Sequence, residues 1–211
     1  MKICGLKTPQ ALEATIAAGA DMAGFVFFAA SPRHVSLAAA AALGQQAAGR
    51  IAKVALLVDA DDDAISAVIA ALKPDYLQLH GDETPQRVAD VRGRMGVPVI
   101  KAIKIAERAD VVAARGYPHA DRLLLDAKPP KGAALPGGNG LTFDWTILAG
   151  IAFDRPWLLS GGLHPGNVAE ALRQTQARGV DVSSGVESSP GVKDIAKIAA
   201  FVEAARRGRA A

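Results

Sequence analysis

A cysteine and an aspartate end two short apolar segments that lie far apart in the chain. Cys4 ends the segment KIC at the N-terminus and is the only cysteine among 211 residues, and Asp126 ends RLLLD. A thiolate can remove a proton and a protonated carboxyl can donate one, if burial and nearby charges move their pKa values toward neutrality. Since a lone cysteine is more often a small buried hydrophobe, the pair has an acid/base function only if the fold brings both side chains to one site.

Two turns rich in glycine and serine have the composition of a phosphate site. They are LSGGL at 159–163 and VSSGVE at 182–187. Glycines let the backbone approach an anion closely, and exposed N–H groups, helix N-termini and serine hydroxyls supply donors. Either turn alone would be ordinary, but together they predict a phosphate site. An acid there would repel the anion, so Asp181 is expected to be structural. The predicted phosphate-binding residues are Gly161, Gly162, Ser184 and Gly185.

Eight short apolar segments, rich in β-branched residues, alternate with segments of helical period along the whole chain. This alternation is typical of βα units around a parallel eight-stranded sheet. Eight such units favour an α/β fold with a single (βα)8 TIM barrel domain over residues 1–211, although a doubly wound open sheet has the same local pattern. The predicted strands are 2–5, 22–28, 53–58, 76–80, 97–103, 122–127, 157–161 and 180–185.

A TIM barrel places its catalytic groups at the carboxyl ends of the strands. Strands 1 and 6 are three apart in a ring of eight, so Cys4 and Asp126 would face each other across the barrel mouth and could flank a small sugar. The two glycine turns follow strands 7 and 8, where many barrels bind phosphate. The Pro- and Gly-rich segment 128–140 is longer than an ordinary connection after strand 6 and predicts a lid.

Polar residues near the ends of strands 2, 4 and 5 are further candidates. Arg33, just past strand 2, has the planar fork that binds a carboxylate or phosphate, although loop arginines are usually only solvated. Strand alternation places Gln78 and His80 on one face, which we expect to point into the barrel because the alternate leucines would face the helices. Both are candidate substrate-binding residues, and a hydrogen-bonded structural histidine is the alternative for His80. Lys101 and Lys104 on strand 5 would be catalytic only if buried.

Composition argues against several other classes of protein. The chain has no run of about 18 apolar residues and no apolar signal segment, and a single cysteine suits a reducing cytoplasm. The net charge of +3 fits a small anionic substrate. Part of this charge comes from the tail ARRGRAA, whereas a nucleic-acid-binding protein would group its basic residues on one folded surface. The four histidines, at positions 34, 80, 119 and 164, have no metal-ligand spacing. No dinucleotide or Walker fingerprint occurs either, so neither metal nor cofactor is expected.

Six motifs follow one another in order from the first strand to the last helix. They are KICGLK, GFVFFAASPRHVS, LQLHGDE, LLLDAKPPK with PGGNGLTFDW, LLSGGLHPGNV and GVDVSSGVESSPGVKD. Together they are similar to the motifs of the phosphoribosylanthranilate isomerase family of tryptophan biosynthesis, and the resemblance covers essentially the whole chain. One departure is the segment after strand 6, LDAKPPKGAALPGGNG, which is a few residues longer than in the shorter family members.

The resemblance implies a reaction and a set of roles. The reaction would convert N-(5-phosphoribosyl)anthranilate to 1-(2-carboxyphenylamino)-1-deoxyribulose 5-phosphate by an Amadori rearrangement, without metal or cofactor. Cys4 would be the general base and Asp126 the general acid. Arg33 would hold the anthranilate carboxylate, and the SGG and SSG turns would hold the phosphate. The family's ordinary-temperature members also imply a monomer.

Two alternatives stay open at this point. Other phosphosugar barrels share the phosphate turns, but the similar histidine-pathway isomerase has an aspartate in place of Cys4, and indole-glycerol-phosphate synthase relies on a lysine and glutamates. A non-catalytic phosphosugar-binding protein on the same scaffold would bind product without turnover. These differences argue against both of the other barrels, and the presence of both Cys4 and Asp126 argues against the binding protein.

Overall fold

One parallel sheet of eight strands runs through nearly the whole sequence. The computed structural model describes residues 1–130, 132, 137–138 and 140–210. The strands lie in the order β7-β6-β5-β4-β3-β2-β1-β8. Their bounds are β1 Lys2–Cys4, β2 Met22–Phe27, β3 Ala52–Leu57, β4 Tyr76–Leu79, β5 Val99–Ile105, β6 Arg122–Ala127, β7 Trp157–Leu159 and β8 Asp181–Val182.

The sheet curls until its two edges meet. β1 pairs in parallel with both β2 and β8. On the other side, Leu159 of β7 forms a parallel bridge with Val180, and its N–H donates to Gly179 O at 2.9 Å. The eight strands therefore form a nearly closed barrel, and the predicted TIM-barrel fold is confirmed.

Helices follow most of the strands and cover the outside of the barrel. Four of them begin with a Ser, Thr or Asp side chain that accepts a backbone N–H in the first turn. Between β6 and β7, a short 3-10 helix, Trp145–Leu148, occupies the place of the predicted helix. The α-helices are α1 Pro9–Ala17, α2 Leu37–Ala47, α3 Asp62–Leu72, α4 Pro85–Met95, α5 Arg108–Ala113, α6 Val168–Thr175 and α7 Ile195–Ala210.

The last two barrel strands are shorter than predicted. β7 ends at Leu159 instead of residue 161, and β8 ends at Val182 instead of residue 185. The cause is the backbone of the following turns. Gly161 takes a φ of 89°, and Ser183 leaves the extended region with a ψ of −81°. Both turns therefore lie outside the sheet ladder, which leaves their N–H groups free for other partners.

The barrel interior is packed with side chains and is no channel. Its lower part is an apolar cluster that includes Val54, Ile100 and Leu124. Above this cluster, Cys4 packs with Val26 and Leu56 toward the carboxyl ends of the strands. The floor of the mouth is therefore formed in part by apolar side chains. In the described part of the chain, no helix is long and apolar enough to cross a membrane.

Candidate active site

A cavity at the carboxyl ends of the strands brings the predicted acid/base pair together. Cys4 and Asp126 both line it, and their residues are only 3% and 5% exposed. Most of the other predicted site residues line the same cavity, which is what a (βα)8 barrel requires of a catalytic set. These are Arg33, His80, Gly161, Gly162 and Ser184.

A buried ion pair lies directly beside Cys4. Lys2 precedes Cys4 by two residues on β1, so both side chains point into the barrel. Lys2 Nζ donates to Asp181 Oδ1 at 2.7 Å, and the Lys2 residue is fully buried. A Cβ added to Gly24 would lie 2.9 Å from the Cys4 sulfur and 3.2 Å from Lys2 Cε, so the thiol and the lysine share the space that this glycine leaves.

These neighbours set the protonation of the thiol. Burial raises the pKa of Cys4 above its ordinary value, while the Lys2 ammonium acts in the opposite direction and the Asp181 carboxylate adds to the rise. Burial alone would lower the pKa of Lys2, but Asp181 and Cys4 together raise it. Lys2 is therefore a cation, and it stabilises a Cys4 thiolate more strongly than Lys193, which acts in the same direction.

Asp126 is connected to His80 and, through it, to Gln78. His80 Nε2 lies 3.2 Å from Asp126 Oδ2, and Gln78 Nε2 lies 2.8 Å from His80 Nδ1. Gln78 is fully buried and does not line the cavity. The predicted direct contact of Gln78 with substrate is thus replaced by a contact with His80, because β4 ends one residue after Gln78 and only His80 extends to the mouth.

The two glycine turns have backbone donors without a partner in the described part of the chain. Gly161, Gly162 and Ser184 line the cavity, whereas Gly185 lies just outside its lining. The backbone N–H groups of Gly161, Gly162, Ser184 and Gly185 donate to no described residue. The turns touch each other, since the position of a Cβ on Gly185 is 1.9 Å from Leu163 O. Converging free N–H groups from two adjacent turns form an anion-binding concavity.

Part of the long segment after β6 lies over the acid. A Cβ on Gly137 would lie 2.5 Å from His80 Nε2 and 2.7 Å from Asp126 Oδ2, an approach that a larger residue could not make. Gly138 O lies 3.4 Å from one Arg33 amino nitrogen. The rest of the predicted lid, residues 131, 133–136 and 139, lies outside the described residues.

Comparisons with known proteins identify the family to which the chain belongs. The family model described as N-(5'phosphoribosyl)anthranilate (PRA) isomerase matches residues 1–204. The chain belongs to the PRA isomerase family. The PRA isomerase of Rhodopseudomonas palustris strain HaA2 is 56% identical over 207 residues, which cover 98% of this chain and 95% of that protein. The PRA isomerase of Bradyrhizobium sp. strain BTAi1 is 57% identical over 207 residues, covering 98% and 94%.

Solved structures of PRA isomerases have the same fold. The Thermotoga maritima enzyme superimposes with a TM-score of 0.87 at 33% identity, covering 97% of each chain. A second PRA isomerase structure contains reduced 1-(o-carboxyphenylamino)-1-deoxyribulose 5-phosphate and superimposes with a TM-score of 0.83 at 30% identity, again covering 97% of each chain. The predicted enzyme, a PRA isomerase of tryptophan biosynthesis, is confirmed.

Two lysines that the sequence suggested as candidate catalytic residues lie away from the site. Lys101 is buried, as a catalytic lysine would be, but it faces the helices and donates to Glu83 Oε2 at 2.6 Å. Lys104 pairs with the exposed Asp82. Within the described ranges no three His, Cys, Asp or Glu side chains are grouped as a metal site.

Three charged residues near the site escaped the sequence analysis. Lys2 could have been found, because strand alternation places it on the same face as Cys4. Glu187 contacts Arg33, which is 154 residues away, and Lys193 contacts Glu187 in turn. Their spacing gives no signal, because the contacts depend on how the chain after β8 folds back.

Substituting Gly185 by alanine in the PRA isomerase is expected to weaken phosphate binding. The new Cβ would overlap Leu163 O, so one of the two turns must move. We expect a loss of about 1–3 kcal/mol in unfolding free energy from overpacking. We also expect a roughly tenfold or greater rise in KM, because the donors are displaced. Steady-state kinetics, together with inhibition by inorganic phosphate, measures the effect.

Gly93→Ala is the matched control for this substitution. Gly93 is exposed within α4, and a Cβ added there would meet nothing within 4 Å. Alanine favours the helix by up to about 1 kcal/mol, so this variant should keep its KM and gain stability. Equal phosphate inhibition of the Gly185→Ala variant and the unmodified isomerase would contradict the predicted phosphate site.

Proposed function

We propose that Cys4 is the general base and Asp126 the general acid of the Amadori rearrangement that this isomerase performs. The substrate is N-(5'-phosphoribosyl)anthranilate and the product 1-(2-carboxyphenylamino)-1-deoxyribulose 5-phosphate. One observation carries the assignment: a thiol and a carboxyl, both nearly buried, line one cavity together with two turns that have free N–H donors. A sugar held by its phosphate in these turns would have its reacting carbons between the two groups.

In the first step Asp126 donates its proton to the ribose ring oxygen. The bond from C1' to the ring oxygen breaks, and the nitrogen lone pair forms a C=N bond, so the ring opens to a protonated Schiff base. Asp126 must be protonated beforehand, and His80 can accept its hydrogen bond through Nε2 in the tautomer with the proton on Nδ1.

Gln78 provides the partner for that tautomer. Its Oε1 is buried and has no hydrogen-bond partner among the described residues. Half a turn of the amide would place Oε1 against the Nδ1–H of His80. The amide would then fix the orientation of the imidazole toward Asp126.

In the second step the Cys4 thiolate removes the proton from C2'. The released electron pair forms a C1'=C2' bond and neutralises the Schiff base, which gives an enolamine. The enolamine then loses the proton of its C2' hydroxyl and gains one at C1', which gives the ketone. Lys2 supports this step because its ammonium stabilises the thiolate in a buried site.

The two anionic ends of the substrate would be bound in different ways, the phosphate by backbone N–H groups without another described partner and the carboxylate by a positively charged side chain. We assign the phosphate to Gly161, Gly162, Ser184 and Gly185, whose turns adjoin. We assign the anthranilate carboxylate to Arg33, which is nearly buried at the mouth. Binding energy from both ends fixes C1' and C2' relative to the acid and the base.

Turnover with substrate generated in situ tests the proposal. Anthranilate fluorescence should decay when the protein is added to a phosphoribosyltransferase reaction, and the ketone product should accumulate. Protein that binds the reduced product but gives no turnover would instead be a non-catalytic phosphosugar-binding protein.

We extend the proposal to the whole molecule, as a single-domain monomer in the cytoplasm. The large hydrophobic residues that are most exposed lie on separate segments, at 37, 112, 141 and 192–195, which supports a monomer. A Thermotoga maritima PRA isomerase is described as dimeric, so the state has to be measured. Light scattering on a size-exclusion column should give one chain per particle, and a dimer mass would overturn this part.

A further inference from the structure

Arg33 forms an ion pair with a buried glutamate. Its Nε donates to Glu187 Oε1 at 2.8 Å and its NH2 group donates to Glu187 Oε2 at 2.9 Å. Glu187 does not line the central cavity, and its side chain is only 4% exposed. The carboxylate thus occupies one edge of the guanidinium, on the side away from the barrel mouth.

Glu187 is itself fixed by several contacts. Lys193 Nζ donates to Glu187 Oε1 at 2.8 Å, and the Gly191 N–H donates to Oε2 at 3.2 Å. Both donors belong to the hairpin formed by β9, Glu187–Ser189, and β10, Val192–Lys193. Burial opposes the ionisation of Glu187, but Arg33 and Lys193 lower its pKa below the ordinary value. Glu187 is therefore a charged, immobile anchor.

The other edge of the guanidinium stays available. Arg33 NH1 donates to no described residue, and it lies 2.8 Å from the place where a Cβ on Gly138 would be. NH1 therefore lies beside the part of the loop after β6 that lines the cavity. A planar guanidinium with one edge occupied presents its remaining N–H groups in one fixed direction.

We propose that Glu187 is a positioning residue that aims the free edge of Arg33 at the substrate carboxylate. The inference rests on the proposed role of Arg33. An arginine side chain has many rotamers, and ordering it upon binding would weaken the complex. Glu187 removes that cost before the ligand arrives. Because Lys193 offsets its charge, the cluster of Arg33, Lys193 and Glu187 keeps a net charge of +1 and still attracts an anion.

Two ligands that differ only in the carboxylate test this role. The first is the reduced product, reduced 1-(o-carboxyphenylamino)-1-deoxyribulose 5-phosphate, and the second is its phenylamino counterpart without the carboxyl group. In Glu187→Gln the affinity for the first should fall about tenfold, because the guanidinium loses its charged partner. The affinity for the second should change less than about twofold. Isothermal titration calorimetry gives both values, and kinetics should show a raised KM with kcat largely retained.

Further variants separate the two possible failures. Arg33→Met should lose the preference for the carboxylated ligand. If it keeps that preference, the proposed role of Arg33 fails. If Arg33→Met loses the preference while Glu187→Gln keeps the full affinity of the unmodified protein or exceeds it, the positioning role fails.

A purely structural role of Glu187 would give a different experimental result. If Glu187 only stabilised the hairpin, Glu187→Gln would weaken both ligands equally, and that result would also overturn the proposal. Glu187→Asp retains the charge and should recover part of the selectivity. Glu203→Gln, which breaks an exposed pair with Arg207, is the matched control and should bind both ligands like the unmodified protein.

Discussion

Cys4→Ser and Asp126→Asn are each expected to lower kcat by roughly a hundredfold or more, as the loss of a general base or acid does. A serine hydroxyl keeps the shape of the site but stays protonated throughout the pH range in which a thiol ionises. Asparagine keeps the hydrogen-bonding shape of the carboxyl group but cannot release a proton to the ring oxygen. Both side chains are nearly buried, so water has little access to replace them.

Affinity distinguishes lost chemistry from a damaged site. Each variant should bind the reduced product within about threefold of the unmodified protein, because the groups act on the transition state and contribute little to ground-state binding. Anthranilate fluorescence decay measures kcat, and calorimetry measures the affinity. Retention of more than a tenth of the activity in either variant would remove that residue from the proposed mechanism.

Lys2→Met is expected to have the largest effect on stability. It leaves the Asp181 carboxylate buried without its partner, and breaking a buried pair in this way costs about 3–5 kcal/mol. Urea unfolding measures the loss. Lys104→Met removes a lysine from the exposed pair with Asp82 and should cost no more than about 1 kcal/mol.

Removing both charges should restore part of that stability. In Lys2→Met with Asp181→Asn no uncompensated charge remains inside the barrel, so the double variant should be more stable than Lys2→Met alone. An additive loss in the double variant would show that the two residues do not stabilise the fold through their ion pair.

The ionisation of Cys4 should occur at higher pH than that of an ordinary thiol. Burial raises its pKa, while Lys2 and, more weakly, Lys193 oppose the rise. The thiolate should therefore form along a titration limb that extends beyond the ordinary value of about 8.5. Lys2→Met removes the stronger of the two opposing cations, so this limb should move to higher pH. Because Cys4 is the only cysteine, the ultraviolet absorbance of its thiolate reports the same group, and an unmoved titration would contradict the role of Lys2.

Stability should decline over the same range of pH. The unfolded chain releases the Cys4 proton near its ordinary pKa of about 8.5, whereas the native protein retains it to higher pH. The contribution of Cys4 to stability is thus fully present below that value and declines as pH rises through the native pKa.

The local order of residues was enough to predict the barrel and the position of Cys4 and Asp126 at its mouth. Strand and helix periodicities can be recognised in short stretches of sequence, because each depends only on neighbouring residues. The prediction for β6, residues 122–127, has the same bounds as the strand in the structure. Cys4 and Asp126 follow from the same local pattern, because the carboxyl end of each barrel strand leads to the mouth. The phosphate turns follow from glycines that stand just after strands.

The three-dimensional arrangement decided which groups surround these residues. Lys2 meets Asp181 across 179 positions and Arg33 meets Glu187 across 154, contacts that exist only because β1 pairs with β8 and the following hairpin folds back. Strand alternation predicted that Gln78 points into the barrel. Its position along β4, however, places it below His80, so that its side chain contacts His80. Sequence periodicity determines which face of an element a residue occupies, whereas pairing partners and depth depend on strands and loops that are distant in the chain.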